Sequence, residues 1–93
     1  MMNRTFVRNQ RIEAAPLNEE AILFDPTSSK FFMLNRTSSF LWERLSTPAT
    51  AESLAGDICK SFDNIAEADA LIDVRATLDE MLSMELVVAN DAG

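Results

Sequence analysis

Few side chains in this sequence could carry out catalysis. The 93 residues include no His and a single Cys, Cys59, so the commonest general base is missing and no imidazole can activate the thiol. Asp69 and Asp73 share one face of a predicted helix, but they lack the loop geometry of a calcium site and are explained better by a solvated acidic face. With two glycines, the chain has no Gly-rich phosphate loop. These features predict a non-catalytic protein without a metal or cofactor.

Charge is distributed unevenly along the chain, whose formal net charge is −7. Residues 1–44 hold six basic and five acidic groups, whereas residues 45–93 hold two basic and ten acidic groups. The acidic second half disfavours nucleic acid as a partner, because phosphate binding requires a basic face. It is compatible with a basic peptide or protein partner, although an acidic surface that only keeps the protein soluble is the simpler explanation.

The length predicts one domain with one small core. Residues 1–10 are polar and basic, so we predict a flexible N-terminal segment there. We predict that residues 11–88 form the folded domain and that residues 89–93 form a disordered tail. The first residues contain no apolar run typical of a secretory signal, and no stretch is long and apolar enough to span a membrane. The single cysteine fits a reducing setting, so we expect a cytoplasmic protein.

Three short segments, residues 11–17, 19–25 and 30–34, predict strands. The residues between the last two include Asp, Pro and Ser and are typical of a turn, which predicts an antiparallel hairpin. A further short extended piece is predicted at residues 85–88. Three helices are predicted between the hairpin and this piece.

The first helix is capped by Asn35 or Thr37, and the second by Thr50. The third spans residues 66–83, with an apolar stripe at helical spacing. The stripe consists of Leu71, Val74, Leu78, Met81 and Leu82. The predicted fold is α+β and winged helix-turn-helix-like, with an N-terminal three-stranded antiparallel sheet followed by three helices.

The segment Lys30–Leu34 carries more large apolar side chains than one sheet face can bury. Phe31, Phe32, Met33 and Leu34 would point alternately to the two faces of a strand, so one face needs a partner beyond the domain core unless both faces pack within the domain. Leu34 is expected to point inward. An apolar edge strand with unpaired N–H and C=O groups is a template for β-augmentation.

Residues 21–45, AILFDPTSSKFFMLNRTSSFLWERL, resemble the PqqD-like family of peptide-recognition domains, which serve pathways of ribosomally made and then modified peptides. The family pattern is an apolar strand, a D-P-x-[TS]-type turn, a strand ending in Leu-Asn, and a helix with an apolar-Trp pair. The matching residues are Leu23, Asp25, Pro26, Thr27, Leu34, Asn35, Thr37, Leu41 and Trp42. Later matches are Asp73, Val74, Leu78, Leu82, Leu86 and Val87, so the resemblance covers about residues 11–88.

The resemblance implies a stand-alone RiPP recognition element that binds a precursor's leader peptide and passes it to a modifying enzyme such as a radical enzyme, protease or cyclase. The leader would add as an antiparallel strand to the edge of residues 30–34, in the groove against the third helix. The implied peptide-binding residues are Lys30, Phe31, Phe32, Met33 and Leu34 on the strand and, on one flank of the helix stripe, Ala68, Ile72, Arg75 and Asp79. Alternatively, Ile72 only widens the stripe, and Arg75 only pairs with Asp79.

Two positions depart from the family pattern. Ser83-Met84-Glu85 stands where members usually carry a Gly after the third helix. Ser46-Thr47-Pro48 stands where members that serve pyrroloquinoline quinone synthesis often carry a Gly after the first. The departures favour recognition of a different peptide, of the lasso type or of a pathway that the sequence does not assign.

Two other classes of protein compete with a peptide adaptor. A winged-helix transcription regulator would need a basic recognition helix, whereas the third helix is acidic. An obligate subunit or homodimer would use the same apolar edge, because only Lys30 protects it.

Overall fold

The structure is a computed structural model that describes residues 3–92, with side chains described for residues 4–90. Its elements, in chain order, are β1 (Asn3–Arg8), β2 (Glu13–Leu17), β3 (Glu20–Asp25), β4 (Lys30–Leu34), α1 (Arg36–Arg44), β5 (Ala49–Thr50), α2 (Ala51–Ser61), α3 (Glu67–Ser83) and β6 (Val87–Ala92). Over these residues, no helix is both long enough and apolar enough to cross a membrane.

The strands β2, β3 and β4 form an antiparallel sheet in that order. The predicted hairpin is confirmed, with Asp25 of β3 opposite Lys30 of β4 beside the turn. The turn forms because Asp25 Oδ1 accepts a hydrogen bond from the Thr27 N–H at 2.9 Å. A two-residue loop joins β2 to β3, and its first residue, Asn18, has a φ of 56°, a left-handed conformation that Asn tolerates.

The two ends of the chain pair in a second sheet, whose order is β5-β1-β6, with the short strand β5 from the middle of the chain at one edge. Phe6 of β1 is buried and lies opposite Ala89 of β6. This pairing corrects the expectation of a flexible segment at residues 1–10 and a disordered tail at residues 89–93, except at residues 1, 2 and 93, which lie outside the described range. Neither segment has a strong apolar period of its own, and pairing between opposite ends of a chain leaves no local signal.

Two of the helices begin at side-chain caps. Asn35 caps α1, because its Oδ1 accepts a hydrogen bond from the Ser38 N–H at 2.9 Å. Thr50 caps α2 in the same way, with Oγ1 3.1 Å from the Ser53 nitrogen. Each cap satisfies one of the N–H groups that a helix start leaves without an intrahelical partner. Both predicted caps are therefore confirmed.

The last turn of α3 ends in a Schellman motif. The Leu86 N–H donates to the Met81 carbonyl at 2.9 Å, and the Glu85 N–H donates to the Leu82 carbonyl at 3.0 Å. Glu85 occupies the left-handed position of the motif, with a φ of 59°. Gly is usual there because it has no Cβ to clash with the backbone. The departure from the family's Gly therefore falls at a position where a side chain is strained.

The core lies between the helices and the inner face of the β2-β3-β4 sheet. Its largest fully buried side chains are Leu23, Leu41, Leu45, Leu54, Val74, Leu78, Met81 and Leu86. On α3, three of the five predicted stripe residues are buried, whereas Leu71 and Leu82 are half-buried at the margin. The predicted α+β arrangement of a three-stranded antiparallel sheet followed by three helices is confirmed, and the second sheet is an addition to it.

Candidate functional site

The strand β4 lies at one end of its sheet, and β3 is its one strand partner within the described chain. The other edge of β4 is therefore available to a further strand. The strand has no Pro, and its one charged residue, Lys30, stands at its start. Exposed apolar edges of this kind are the ones that other chains extend.

The loop between β2 and β3 fixes the hydrogen-bonding pattern of the sheet. A two-residue hairpin loop closes on a hydrogen-bonded pair, which here is Leu17 and Glu20. Bonded and non-bonded pairs alternate, so the next pair, Pro16 and Ala21, is non-bonded, as the missing N–H of Pro16 requires. Ala21 must then direct its N–H and C=O toward β4.

The same alternation assigns the free backbone groups of β4. Leu34 lies opposite Ala21, so its backbone groups face β3. Phe32, two residues earlier, has the same orientation. Phe31 and Met33 have the opposite orientation, and their N–H and C=O groups face the free edge. These two residues are therefore the ones that an added strand would pair with.

Side chains on β4 divide between the two faces of the sheet. Phe31 and Met33 are each 70% exposed on the outer face, where the Phe31 ring lies 4.7 Å from the Phe24 ring. Leu34 is buried, as predicted, and Phe32 is half-buried on the inner face that the helices cover. On the inner face of the sheet, side chains of an added strand would therefore lie beside Phe32. On the outer face, they would lie beside Phe31.

A hollow separates the first half of β4 from the C-terminal end of α3. It has a volume of about 320 Å³ and is lined by Lys30 and Phe32 of β4 and by Ser83 and Met84 at the end of α3, among others. Apolar and polar groups therefore both face this hollow. Its position beside the free edge makes it accessible to side chains of an added strand.

A second hollow lies beside the N-terminal half of α3. It has a volume of about 80 Å³ and is lined by residues of all three helices, including Thr37 and Leu41 of α1, Ile58 of α2, and Asp73 and Thr77 of α3, and, within the described chain, by no residue of β4. The first hollow lies between the start of β4 and the end of α3, and the second lies between α1, which directly follows β4, and the N-terminal half of α3. β4 and α3 therefore run in opposite directions. We call the free edge of β4 together with these two hollows the β4–α3 cleft.

The structure places the predicted residues of α3 on the side of that helix away from the cleft. Ala68, Ile72, Arg75 and Asp79 are all exposed. Arg75 Nη2 lies 3.2 Å from Glu52 Oε2 of α2, so its partner is neither β4 nor Asp79. Arg75 and Asp79 also line a separate hollow with Phe6 of β1. The strand residues and the helix residues of the predicted site are therefore not brought together.

The residues that line the cleft from this side include Asp73 and Thr77 of α3 and Met84, which directly follows the helix. They lie on the other flank of the apolar stripe, at the helical spacing of about 100° per residue. The sequence period identifies both flanks equally well, but it does not show which of them faces β4. Sequence reasoning therefore predicted the strand wall of this candidate cleft, and it placed the helix wall on the flank of α3 that lies away from β4.

One protein-family model matches the chain over residues 20–87, and its description is Coenzyme PQQ synthesis protein D (PqqD). This chain belongs to the PqqD family. The matched residues include β3, β4 and all three helices, and thus both walls of the β4–α3 cleft. A comparison with curated proteins finds no match.

Two solved structures share the fold of this PqqD-family chain. One is described as TbiB1 in complex with the TbiA(beta) leader peptide; it is 20% identical, with a TM-score of 0.80, and the alignment covers 87% of this chain and 93% of that chain. The other is described as lasso peptide synthetase B1 complexed with the leader peptide; it is 19% identical, with a TM-score of 0.78, and the alignment covers 89% and 96%. At this identity the similarity establishes the fold.

Asp25, in the turn that resembles the PqqD-like pattern, holds the hairpin to the rest of the domain. Its side chain is buried, and its two oxygens accept hydrogen bonds from Arg11 Nε at 3.2 Å and Nη2 at 3.1 Å. These bonds from Arg11, with the Thr27 N–H in support, lower the pKa of Asp25 from 3.8 to about 2. The pair links the end of β3, beside the turn into β4, to the segment that precedes β2.

Proposed function

We propose that this PqqD-family protein is a non-catalytic, cytoplasmic adaptor that binds the leader segment of a ribosomally synthesised precursor peptide and delivers it to a modifying enzyme. The observation that carries the proposal is the free edge of β4, where Phe31 and Met33 present backbone groups without a strand partner. The leader peptides named in the descriptions of the two similar structures support it. The enzyme would be a radical enzyme, a protease or a cyclase.

The leader segment would add antiparallel to β4 as a fourth strand of the β2-β3-β4 sheet. Alternate side chains of the segment would enter the cleft beside Phe32 and Met84, which are both half-buried. The remaining side chains would lie beside Phe31 and Met33 on the outer face. On α3, we assign the opposing wall to Asp73 and Thr77 in place of the flank that was expected from the sequence.

The main chain and the side chains of the leader would contribute differently to binding. Each backbone hydrogen bond contributes about 0.5–1.5 kcal/mol net, regardless of the peptide's sequence. Apolar side chains that enter the hollows add about 25 cal/mol per Å² of buried surface, and this contribution depends on their shape. Together these contributions are consistent with a micromolar dissociation constant, or about −8 kcal/mol.

The chain's reactive groups support an adaptor rather than an enzyme. Without His, no neutral-pH general base of the commonest type is available. Cys59 is half-buried on α2, and its Sγ lies 3.5 Å from the Ile65 carbonyl oxygen. A thiol in such surroundings behaves as a small apolar side chain.

Titration by NMR tests the proposal. The probe is the leader segment of the precursor peptide that is encoded beside this chain's gene, added to isotope-labelled protein. We expect saturable shifts in the amide signals of Phe31 and Met33, and smaller shifts at Thr77 and Met84. Shifts confined to β1, β6 or the Arg75 side of α3, or no saturation at millimolar peptide, would contradict the proposal.

Self-association is a second candidate role for the same edge. The exposed apolar side chains of Phe31 and Met33 favour it, because two free edges can pair around a twofold axis. Sedimentation velocity over a range of concentrations tests for such a homodimer. If the leader segment dissociates the dimer, both partners use the edge of β4; if the dimer survives saturation with peptide, the dimer interface lies elsewhere.

A further inference from the structure

The side of α3 that faces the cleft is acidic. Asp73 lines the hollow beside Leu41. Glu80 follows it two helical turns later on the same side, and Asp69 precedes it by one turn. All three carboxylates are exposed, and none of them forms an ion pair within the described residues.

The basic residue of α3 does not neutralise this wall. Arg75 is the one basic residue of the helix, and it lies on the opposite flank, bound to Glu52 of α2. At the start of α1, Arg36 is held between Glu19, at 3.5 Å, and the Phe62 ring, at 4.8 Å. Among the described residues, no Arg or Lys lines the hollow that Asp73 lines.

Among the residues that line the two hollows, the basic ones lie at the end where β4 begins. Lys30 lines the larger hollow. Arg11 lines it too, and its Nε and Nη2 atoms both donate hydrogen bonds to Asp25. Glu85 adds a carboxylate there, 3.7 Å from Arg11 Nη2. The cleft is therefore close to neutral at this end and negative along the rest of α3.

We propose that the β4–α3 cleft selects a peptide segment that carries Lys or Arg at alternate positions, on the side that faces α3. This inference rests on the proposed function and specifies the class of peptide that the site takes. A strand advances by about 6.8 Å every two residues, and the carboxylates of Asp73 and Glu80 are separated along the helix by about 10 Å. Lys and Arg side chains are long and flexible enough to bridge that difference in spacing.

Charge pairing in the cleft would select among peptides that the β4 edge itself does not distinguish. Backbone pairing with Phe31 and Met33 accepts any sequence without Pro. The acidic wall would repel acidic segments, because like charges brought together across an interface are unfavourable. It would also attract basic segments from a distance, in addition to the attraction from the net charge of −7.

The experiment is a selection of displayed random 12-residue peptides against the immobilised, full-length protein. We expect the enriched sequences to carry Lys or Arg at positions two or four residues apart. A synthetic peptide of the commonest sequence should bind about tenfold more weakly to Asp73→Lys/Glu80→Lys than to the wild type. Selection against that double variant should enrich acidic residues instead.

The matched control is Asp79→Lys, which makes the same change of charge on the far flank of α3. We expect it to leave the affinity within about twofold of the wild type, because only long-range attraction is reduced. Circular dichroism of each variant establishes that the fold is intact. The affinity of the basic peptide should also fall steeply as the salt concentration rises.

Met33→Pro separates failure of the inference from failure of the proposed function. Peptides that lose binding to Met33→Pro but show no basic preference would overturn the charge selection and leave the adaptor function standing. Peptides that bind Met33→Pro as well as they bind the wild type, or a selection without any enriched sequence, would contradict the proposed function itself.

Discussion

The two outer strands of one sheet, β2 and β4, differ in how well they can accept another strand. β2 contains Pro16, which removes a donor from its free edge, and its other residues include Glu13 and two alanines. β4 contains four large apolar residues and no Pro. Pro and charge are the devices by which proteins protect sheet edges. The contrast supports the proposal that another strand adds to the edge of β4 and not to that of β2.

Cavity size alone would have pointed to β2. The hollow beside β2 has a volume of about 380 Å³, larger than either hollow of the β4–α3 cleft, and is lined by Phe40, Trp42 and Phe62, among others. Its lining also contains Glu19 and Arg36, which are paired with each other. The strand beside this hollow has an edge that Pro16 interrupts, so a peptide there could not form a continuous ladder. Backbone pairing, rather than volume, distinguishes the two sides.

The largest expected effect concerns the orientation of the β4 backbone. Phe32→Pro removes an N–H that faces β3, so it should lower the free energy of unfolding by about 3 kcal/mol or prevent folding. Met33→Pro removes an N–H that faces the free edge, so it should cost about 1 kcal/mol or less. Urea unfolding of both variants measures the difference. Equal destabilisation would show that the alternation assigned from Pro16 is wrong.

The second expected effect compares peptide binding at the two edges. Met33→Pro removes a donor from the β4 edge and places a ring against the incoming strand, so affinity for a β4-binding peptide should fall about tenfold. The matched control is Ala14→Pro on β2, because Ala14 has the same orientation as Pro16. Isothermal titration should give the control variant wild-type affinity. A loss of affinity in the Ala14 variant would place the peptide at β2.

The third prediction concerns pH and the turn that supports β4. Because the pKa of Asp25 is lowered from 3.8 to about 2 in the folded protein, its ionised form stabilises the fold at neutral pH. That contribution is complete above the unfolded pKa and is lost as the pH falls from about 4 to about 2. Thermal unfolding should show wild type losing stability over this range. Asp25→Asn should be less stable at neutral pH, and its difference from wild type should shrink toward pH 2.

The β4 side of the sheet was predictable because its signals are local. The turn chemistry around Asp25 and the caps at Asn35 and Thr50 each involve bonds between residues two or three apart. The run Lys30–Leu34 was identified by composition alone. Within the domain, local chemistry therefore predicted one wall of the candidate site.

The helix wall and the terminal sheet were not predictable in the same way. The period of α3 identifies its buried stripe, but the choice between the Arg75 flank and the Asp73 flank depends on how the helix packs against the sheet. The pairing of β1 with β6 depends on chain ends that meet only after the core has formed. Pro16 and the two-residue loop are visible in the sequence. They determine which backbone groups of β4 face the free edge, but only once the strand register is known.

The smallest expected effect compares two left-handed residues, one near each edge. Glu85, beside the β4–α3 cleft, and Asn18, at the end of β2, have φ values of 59° and 56°. Left-handed geometry costs most residues about 1–2 kcal/mol, whereas Asn adopts it readily. Gly loses more conformational entropy on folding, and this offsets part of the gain. Glu85→Gly should therefore raise the free energy of unfolding by about 0.5–1 kcal/mol, and Asn18→Gly should change it little.

Peptide binding tests whether Glu85 contributes to the selection of peptides by the cleft. If its carboxylate contributes to selection of a basic segment, Glu85→Gly should be more stable and yet bind the basic peptide a fewfold more weakly, while Asn18→Gly binds as the wild type does. Thermal unfolding and titration of the two variants supply both readings. Greater stability with unchanged affinity would limit the acidic wall to α3 itself, because the strained glutamate would then add nothing to the negative field that Asp73 and Glu80 supply.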